Sequence, residues 1–149
     1  MRQEKSAGVV LFYYNAEKKQ PYFLLLKYPS YWGFAKGSIE EKESEETAAK
    51  REVKEETGIV VSNLIPGFRE EQTWFFKAEG KTVKKHATYF LAEIKKEDLN
   101  VKLSSEHEGF VFVDLEESKK YVKIKQNREL LKKAFEFVKE NKKQMKIFS

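Results

Sequence analysis

Three glutamates at helical spacing, Glu52, Glu55 and Glu56, are the residues of this sequence best suited to chemistry. At about 100° per residue, they share an arc of roughly 100° on one face of a helix. Ala48 and Ala49 lie in or beside the same arc, which indicates that this face packs inward. Crowded carboxylates at a partly buried surface favour a cation, and Mg²⁺ takes oxygen ligands of this kind, completing its shell with water and phosphate.

The alternative is a solvated helix stabilised by ion pairs between glutamates and lysines. It fits less well because Glu52 and Glu56, four residues apart, repel by about 0.2–0.5 kcal/mol. The helix itself is predicted over residues 45–57. Ser44 is a suitable N-cap, and Gly58 is a residue type that commonly follows a helix C-terminus.

The glutamates belong to a longer pattern of fixed residue types between positions 37 and 59. Its members are Gly37, Glu43, Arg51, Glu52, Glu55, Glu56 and Gly58, with apolar Val53 and Ile59. This spacing matches the Nudix box without a departure, so the chain resembles the Nudix hydrolases. The resemblance implies a loop and helix that bind Mg²⁺ and hydrolyse diphosphate bonds in nucleotide derivatives.

Matches outside the box resemble one branch of that superfamily, the asymmetrical diadenosine tetraphosphate hydrolases of the animal and archaeal type. The matching segments are distributed over most of the chain, at residues 6–10, 23–26, 32–37, 67–71, 89–93 and 103–108. One departure lies just before Lys36, where Phe34 and Ala35 replace the two prolines common in the family.

The resemblance implies a role for each acidic residue. Glu52 and Glu56 would bind Mg²⁺, or Mn²⁺ as the alternative, together with a backbone carbonyl near Gly37. Glu55 would bind a second ion or position water. Glu106 would be a further metal ligand or the general base, although an ordinary acidic loop residue is the other interpretation.

Two further residues near the glutamates are interpreted from the same resemblance. Arg51 would pair with Glu43 and so hold the preceding loop against the helix. It lies about 100° from Glu52, so we expect it to lie away from the metal face. His107 has either a functional role or one that only shapes its loop.

The expected substrate-binding residues are cationic and aromatic. Lys36 would contact phosphate, and Trp74 would stack on adenine unless it is a core residue. The family's second phosphate-binding lysine corresponds to Lys81 when residues are counted from the hairpin turn, and to Lys85 when they are counted back from Tyr89. Strand alternation places Lys85 and Tyr89 on one face, and Lys84 on the other with His86.

Composition is typical of one compact domain spanning residues 1–149. The chain has 149 residues, 40% of them hydrophobic, and no cysteine, which excludes disulfides and thiolate zinc sites and fits a cytoplasmic location. It has no apolar run long enough for a membrane span. The net charge of +5 permits binding of acidic substrates or RNA without establishing either. The expected state is a monomer or a homodimer.

Hydrophobic patterning predicts an α+β architecture, with a mixed sheet between helices as in the Nudix fold. Strands are expected at residues 6–14, 22–27, 59–65, 68–76, 82–94 and 109–113. Residues 29–36 are expected to form an irregular loop. Helices are expected at residues 114–120 and 126–141, in addition to the box helix.

The predicted reaction is hydrolysis of diadenosine tetraphosphate to ATP and AMP by water attack on phosphorus. Other Nudix specificities are alternatives, above all an RNA 5′ pyrophosphohydrolase, then nucleotide-sugar or nucleoside triphosphate hydrolases. A non-catalytic nucleotide- or RNA-binding module is the third interpretation. The intact set Glu52, Glu55 and Glu56 argues against it.

Overall fold

A mixed β-sheet forms the centre of the protein. The computed structural model describes residues 2–148, with side chains as far as residue 144. Within those residues the strands are β1 (Arg2–Asn15), β2 (Gln20–Lys27), β3 (Trp32–Gly33), β4 (Ala35–Ser38), β5 (Glu70–Ala78), β6 (Lys81–Glu93) and β7 (Gly109–Val113). The helices are α1 (Glu45–Thr57), α2 (Leu115–Ser118) and α3 (Lys125–Phe148).

The sheet is mixed because β1 and β6 run parallel while the other paired strands are antiparallel. The strand order is β3-β2-β1-β6-β5, with β4 also paired to β1 and β7 to β2. Residues 2–12 of β1 pair with residues 83–93 of β6. This long pairing explains why β1 begins at Arg2 rather than at the predicted residue 6.

The two faces of the sheet bury separate apolar clusters, each covered by one long helix. Val9 and Leu11 of β1 share a cluster with Ala48, Ala49 and Val53 of α1. The alternate residues of the strand, Val10 and Phe12, belong to the cluster that contains Leu131, Ala134 and Val138 of α3. The predicted sheet between helices is therefore confirmed. No helix within residues 2–148 is long and apolar enough to cross a membrane.

The predicted bounds of the box helix are confirmed, and its caps explain them. The Ser44 hydroxyl accepts a hydrogen bond from the Thr47 amide at 3.1 Å, which satisfies one free N–H group of the first turn. At the other end Gly58 has a φ of 76°, and its amide donates to the Lys54 carbonyl. A left-handed residue after the last turn is the usual place for glycine.

The predicted strand at residues 59–65 is wrong, because this segment forms no ladder of backbone hydrogen bonds with the sheet. Ile59 is buried, whereas Val60 is 68% exposed. The amide of Ile65 donates to the Leu91 carbonyl at 2.8 Å, but no ladder forms. Individual apolar residues of this segment, such as Ile59, pack into the core without a paired strand, and their β-branched composition alone had suggested one.

Other predicted bounds also need correction. Residues 29–36 contain β3 and part of β4 rather than only an irregular loop, and α2 is shorter than predicted. The last helix starts at residue 125 and continues to residue 148, beyond the predicted end at 141.

Candidate active site

Helix α1 presents Glu52 and Glu56 to the interior and leaves Glu55 at the surface. The side chains are 14% exposed for Glu52, 4% for Glu56 and 56% for Glu55. The predicted shared face is thus divided between two enclosed carboxylates and one that reaches solvent. Ala48, Ala49 and Val53 bury the helix against the sheet, which forces the neighbouring glutamates into a confined space.

Gly37 of β4 makes room for Glu52. A Cβ atom placed on Gly37 would overlap the Glu52 carboxylate, because the strand passes directly against that side chain. The φ angle of Gly37 is not in the left-handed region, so the need for glycine here is one of space. The structure therefore brings together the predicted metal-site residues Gly37, Glu52 and Glu56.

We expect Gly37→Ala to lower kcat by about 100-fold or more, because displacing a reacting group by about 1 Å has a cost of this size. Steady-state kinetics with matched circular dichroism spectra would measure it. Gly109→Ala is the control, since a Cβ at Gly109 meets no atom within 4 Å. Equal activity of the Gly37 variant and the wild type would contradict the assignment.

Arg51 is the cationic centre of the site. Its Nε donates to Glu43 Oε2 at 2.7 Å and its Nη2 to Glu43 Oε1 at 2.9 Å, so the predicted pair is present as a two-bonded fork. Nη2 also donates to the Ser38 carbonyl at 2.9 Å. These bonds hold the pKa of Glu43 at about 2 and fasten residues 38–43 to α1.

The expectation that Arg51 lies away from the carboxylate face is wrong. Its Nη1 donates to Glu52 Oε1 at 2.8 Å and lies 3.3 Å from the Glu55 carboxylate. The helical angle fixes the direction of Cβ, whereas the long arginine stem carries the guanidinium back over the helix. Arg51 therefore neutralises part of the negative charge that it was expected to avoid.

Burial shifts the pKa values of two ionisable groups of the site, Glu56 and Lys36. Desolvation raises the pKa of Glu56 to about 8, and the charge of Glu52 adds to the shift. Desolvation lowers the pKa of Lys36 to about 8, and the charge of Lys85 adds to it. In both cases the low-polarity surroundings disfavour the charged form. A ligand that brings positive charge to Glu56 and negative charge to Lys36 would reverse both shifts.

The loop before β7 is fastened to the C-terminal end of α1. The Ser104 amide donates to the Glu56 carbonyl at 3.1 Å, and the Lys102 amide to the Thr57 carbonyl at 2.8 Å. These bonds satisfy helix carbonyls that have no partner within the helix. The loop brings Glu106 close enough for its charge to raise the pKa of Glu56, although Glu106 is exposed.

The same loop places His107 against Glu56, a contact that sequence reasoning missed. The His107 side chain is fully buried, and its Nε2 lies 3.2 Å from Glu56 Oε1. The only signal in the sequence was the position of His107 next to Glu106, which left its role open.

A cavity of about 470 Å³ is linked to the carboxylates through Lys36, which lines it and is close enough for the charges of Glu52 and Glu56 to raise its pKa against the effect of burial. It is lined by four of the predicted binding residues, Lys36, Trp74, Lys85 and Tyr89, together with Tyr31, Gly33, Phe34, Gln72, Phe76, Ile124, Gln126 and Asn127. The ammonium groups of Lys36 and Lys85 lie 5.7 and 5.6 Å from the centre of the Trp74 ring. Trp74 is thus a partly buried wall residue that two cations approach.

The structure separates the alternative lysines. Lys85 faces the cavity, whereas Lys81 is exposed at the hairpin end, paired with Ala78. Lys84 lies on the opposite face of β6, as predicted from alternation. Sequence reasoning missed the amides of the cavity, among them Gln72 and Asn127, which are joined by a 2.9 Å hydrogen bond.

The carboxylates fit a hard divalent cation. Within residues 2–148 no three His, Cys, Asp or Glu side chains converge closely enough to hold a metal by themselves. However, Glu56 Oε2 is buried without a hydrogen-bond partner, and Glu52 lies against Gly37 with no side chain between them. Small divalent cations keep several water ligands and need only one or two carboxylates. An unpartnered buried carboxylate oxygen is suited to this use.

Comparison with known proteins decides the family. The model of the NUDIX domain matches residues 4–134 of the chain. The chain belongs to the Nudix family. Its match covers the sheet, α1 and the first part of α3, so both the fold and the box are those of a Nudix hydrolase. Members of this family generally use divalent metal ions, in agreement with the carboxylate pair on α1.

Among its relatives, this Nudix hydrolase is similar to the mouse asymmetrical bis(5′-nucleosyl)-tetraphosphatase. The two are 34% identical over 121 residues, which are 78% of this chain and 80% of the mouse protein. The Caenorhabditis elegans Ap4A hydrolase, solved as a binary complex, superposes with a TM-score of 0.73 at 33% identity, over 91% of this chain and 97% of that one. The mRNA-decapping protein g5R of African swine fever virus is 41% identical over 81 residues, 52% of this chain and 31% of that protein.

Proposed function

We propose that this Nudix hydrolase cleaves diadenosine tetraphosphate, or a related dinucleoside polyphosphate, to ATP and AMP in a Mg²⁺-dependent reaction. The observation that carries the proposal is the position of Lys36. It lies near the Glu52 and Glu56 charges and also 5.7 Å from the Trp74 ring. A nucleotide with its base at Trp74 would therefore direct its phosphates along Lys36 towards the carboxylates.

The residues of the site supply the parts that phosphate hydrolysis needs. Glu52 and Glu56 would hold the ion with a backbone carbonyl near Gly37, and Glu55 or Glu106 would complete the set. A bound divalent ion neutralises phosphate charge and lowers the pKa of bound water. Lys36 and Lys85 would bind non-bridging phosphate oxygens as point charges.

The bond changes need no covalent intermediate. The water oxygen bonds to one phosphorus, the bridging P–O bond to the leaving nucleotide breaks, and one proton of the water passes to a carboxylate. Glu55 and Glu106 are the candidates for this base, because both are exposed to solvent. Arg51 holds Glu43 and Glu52 in place beside them.

The cavity suits one nucleoside end of the substrate. Its volume of about 470 Å³ is within the range of small-molecule sites, about 300–1,000 Å³. The ring of Trp74 offers a surface for stacking, and Gln72 and Asn127 offer polar groups beside it. The similarity to the mouse and C. elegans enzymes supports a dinucleoside polyphosphate over other nucleotides.

A second candidate is removal of phosphate from RNA 5′ ends. Its support is the similarity to the viral decapping protein over about half of this chain, and the net charge of +5. A binding module without catalysis has less support, since a protein that only binds has no need for all three box glutamates, Glu52, Glu55 and Glu56.

The test is product analysis in H₂¹⁸O with Mg²⁺. The protein is offered four substrates in parallel: diadenosine tetraphosphate, ADP-ribose, nucleoside triphosphates and 5′-triphosphorylated RNA. The products are separated by chromatography and identified by mass spectrometry. We expect fast conversion of the first to ATP and AMP, one of which carries ¹⁸O. A preference for RNA would move the proposal to the second candidate. No turnover of any substrate would favour the binding module.

We expect Trp74→Ala to raise KM for diadenosine tetraphosphate about 10- to 100-fold, because stacking of a base on an aromatic ring contributes about 1–3 kcal/mol. Phe75→Ala is the matched control, since Phe75 is the next residue along β5 and is 59% exposed outside the cavity. An unchanged KM for the Trp74 variant would show that the base binds elsewhere.

A further inference from the structure

His107 holds a buried position that the reaction outlined above does not use. Its side chain is 0% exposed, and its Nε2 lies 3.2 Å from Glu56 Oε1, whose own side chain is 4% exposed. A histidine that only shaped a loop would have no need to direct a ring nitrogen at the most buried carboxylate of the site.

The orientation of the His107 ring is fixed from two sides. Its Nδ1 lies 3.2 Å from the Ser104 hydroxyl. The Tyr28 ring packs against it edge-on, with centroids 4.5 Å apart. Tyr28 is itself held, because it stacks on Tyr31 at 4.6 Å and donates its hydroxyl to the Phe34 carbonyl at 2.7 Å. The imidazole therefore cannot turn away from Glu56 without moving two aromatic residues.

The loop that carries His107 also binds the backbone of its target. The Ser104 amide donates to the Glu56 carbonyl at 3.1 Å, and the Glu108 amide to the Lys27 carbonyl at 2.9 Å. One loop thus holds both the main chain and the carboxylate of Glu56. Movement of this loop would change the position of the carboxylate relative to Glu52.

The contact between the two side chains is close but incomplete. His107 Nε2 and Glu56 Oε2 are buried and have no hydrogen-bond partner. Nε2 and Oε1 are within bonding distance, but they are not aligned for a hydrogen bond. A buried polar group without a partner is destabilising, because it has lost its hydrogen bonds to water. A small rotation of the carboxylate would align Oε1 with Nε2 and leave Oε2 for a different ligand.

We infer that His107 is a positioning residue, which donates its Nε2–H to Glu56 Oε1 and so directs Oε2 at the metal ion. In the ring form that carries its proton on Nε2, Nδ1 is an acceptor, and the Ser104 hydroxyl 3.2 Å away can donate to it. Partners of this kind, one step removed from the ion, typically change metal affinity or activity about 10- to 100-fold. The inference rests on the proposed metal role of Glu56.

The test measures metal binding apart from activity. Mn²⁺ is titrated into the protein and free Mn²⁺ is followed by electron paramagnetic resonance, with Glu56→Gln to identify the signal of this site. We expect His107→Phe to weaken Mn²⁺ binding about 10- to 100-fold. His107→Gln should recover part of it, because its side-chain amide can donate to the carboxylate. The matched control is His86→Gln, which changes the other histidine, bound to Thr73 on β5.

Measurements of kinetics and thermal stability distinguish a positioning role of His107 from a purely structural one. At saturating metal, the kcat of His107→Phe should fall while the nucleotide KM stays within about twofold. The thermal midpoints of the His107→Phe and His107→Gln variants are compared in EDTA, and if the first does not fold, the second carries the test. Wild-type Mn²⁺ affinity in folded His107→Phe would overturn the inference, as would losses of affinity that are equal in the two variants and follow their loss of stability. If only His107→Gln folds, a Mn²⁺ affinity as low as that of Glu56→Gln would overturn it.

The outcome is distinct from that of the proposed function. If the wild type binds Mn²⁺ but does not cleave diadenosine tetraphosphate, the substrate proposal fails while the Mn²⁺ titration still decides the role of His107. If Glu56→Gln binds Mn²⁺ as the wild type does, the metal role of Glu56 fails and the inference falls with it.

Discussion

Glu56→Gln is expected to lower kcat by about a thousandfold or more, with little loss of folded structure. The substitution keeps the shape of the side chain but removes the charge that would hold the ion. Metal-assisted stabilisation of a phosphoryl transition state supplies several kcal/mol, and each 1.36 kcal/mol is tenfold in rate. Single-turnover kinetics with diadenosine tetraphosphate and saturating Mg²⁺ would measure the loss directly.

The control for this substitution is Glu46→Gln in the first turn of the same helix. Glu46 is exposed and lies outside the carboxylate cluster, so its variant should keep the wild-type rate. The cavity is unchanged in the Glu56 variant, and nucleotide binding without metal should therefore persist. A wild-type rate for Glu56→Gln would show that the site of the ion is elsewhere.

The second large effect is on stability as a function of pH in the metal-free protein. In the folded state Glu56 keeps its proton up to about pH 8, whereas its ordinary pKa is 4.5. Between these values the folded state binds more protons than the unfolded chain, so the free energy of unfolding falls as pH rises. At 1.36 kcal/mol per pKa unit, the decrease is on the order of 5 kcal/mol.

Urea denaturation in EDTA at several pH values from about 5 to 8 would measure this decrease as the difference between the wild type and Glu56→Gln. The difference removes contributions from other titrating groups. Lys36 does not interfere, because its pKa falls from 10.5 to about 8 and its contribution changes only between those values, where stability rises with pH. Parallel curves for the two proteins would contradict the raised pKa.

A divalent cation should reverse the pH effect. The proton and the cation compete for the same carboxylate, so added Mg²⁺ should stabilise the wild type more at pH 8 than at pH 5. Glu56→Gln should show little of this stabilisation at either pH. The two predictions therefore test the same residue through its chemistry and through its folding energetics.

The arrangement also explains how one helix can carry crowded carboxylates without a metal present. Arg51 bonds to both Glu43 and Glu52, and burial keeps Glu56 in the neutral form. Charge on α1 is therefore reduced by a guanidinium on one side and by protonation on the other. A bound ion would take over the neutralisation now provided by the Arg51 guanidinium and by the proton on Glu56. The carboxylates would then all be charged only when the ion is present.

Sequence alone determined the parts of this protein that depend on short-range chemistry. The bounds of α1 followed from Ser44 and Gly58, because capping acts within a single turn. The enclosed position of Glu52 and Glu56 followed from their helical spacing with the alanines. The family and the pairing of Arg51 with Glu43 followed from fixed distances within the box, and the sheet between helices followed from hydrophobic patterning.

Only the tertiary structure decided what depends on segments far apart in the chain. Parallel pairing of β1 with β6 joins residues about eighty positions apart, and this pairing brings Lys85 rather than Lys81 to the cavity. The contact of His107 with Glu56 depends on the docking of a loop about fifty residues downstream of the helix. Residues 59–65 show the converse, since their β-like composition forms no strand and only the Ile65 amide bonds to β6. Local patterns fix elements, whereas their mutual positions come from packing that a pattern of residues does not encode.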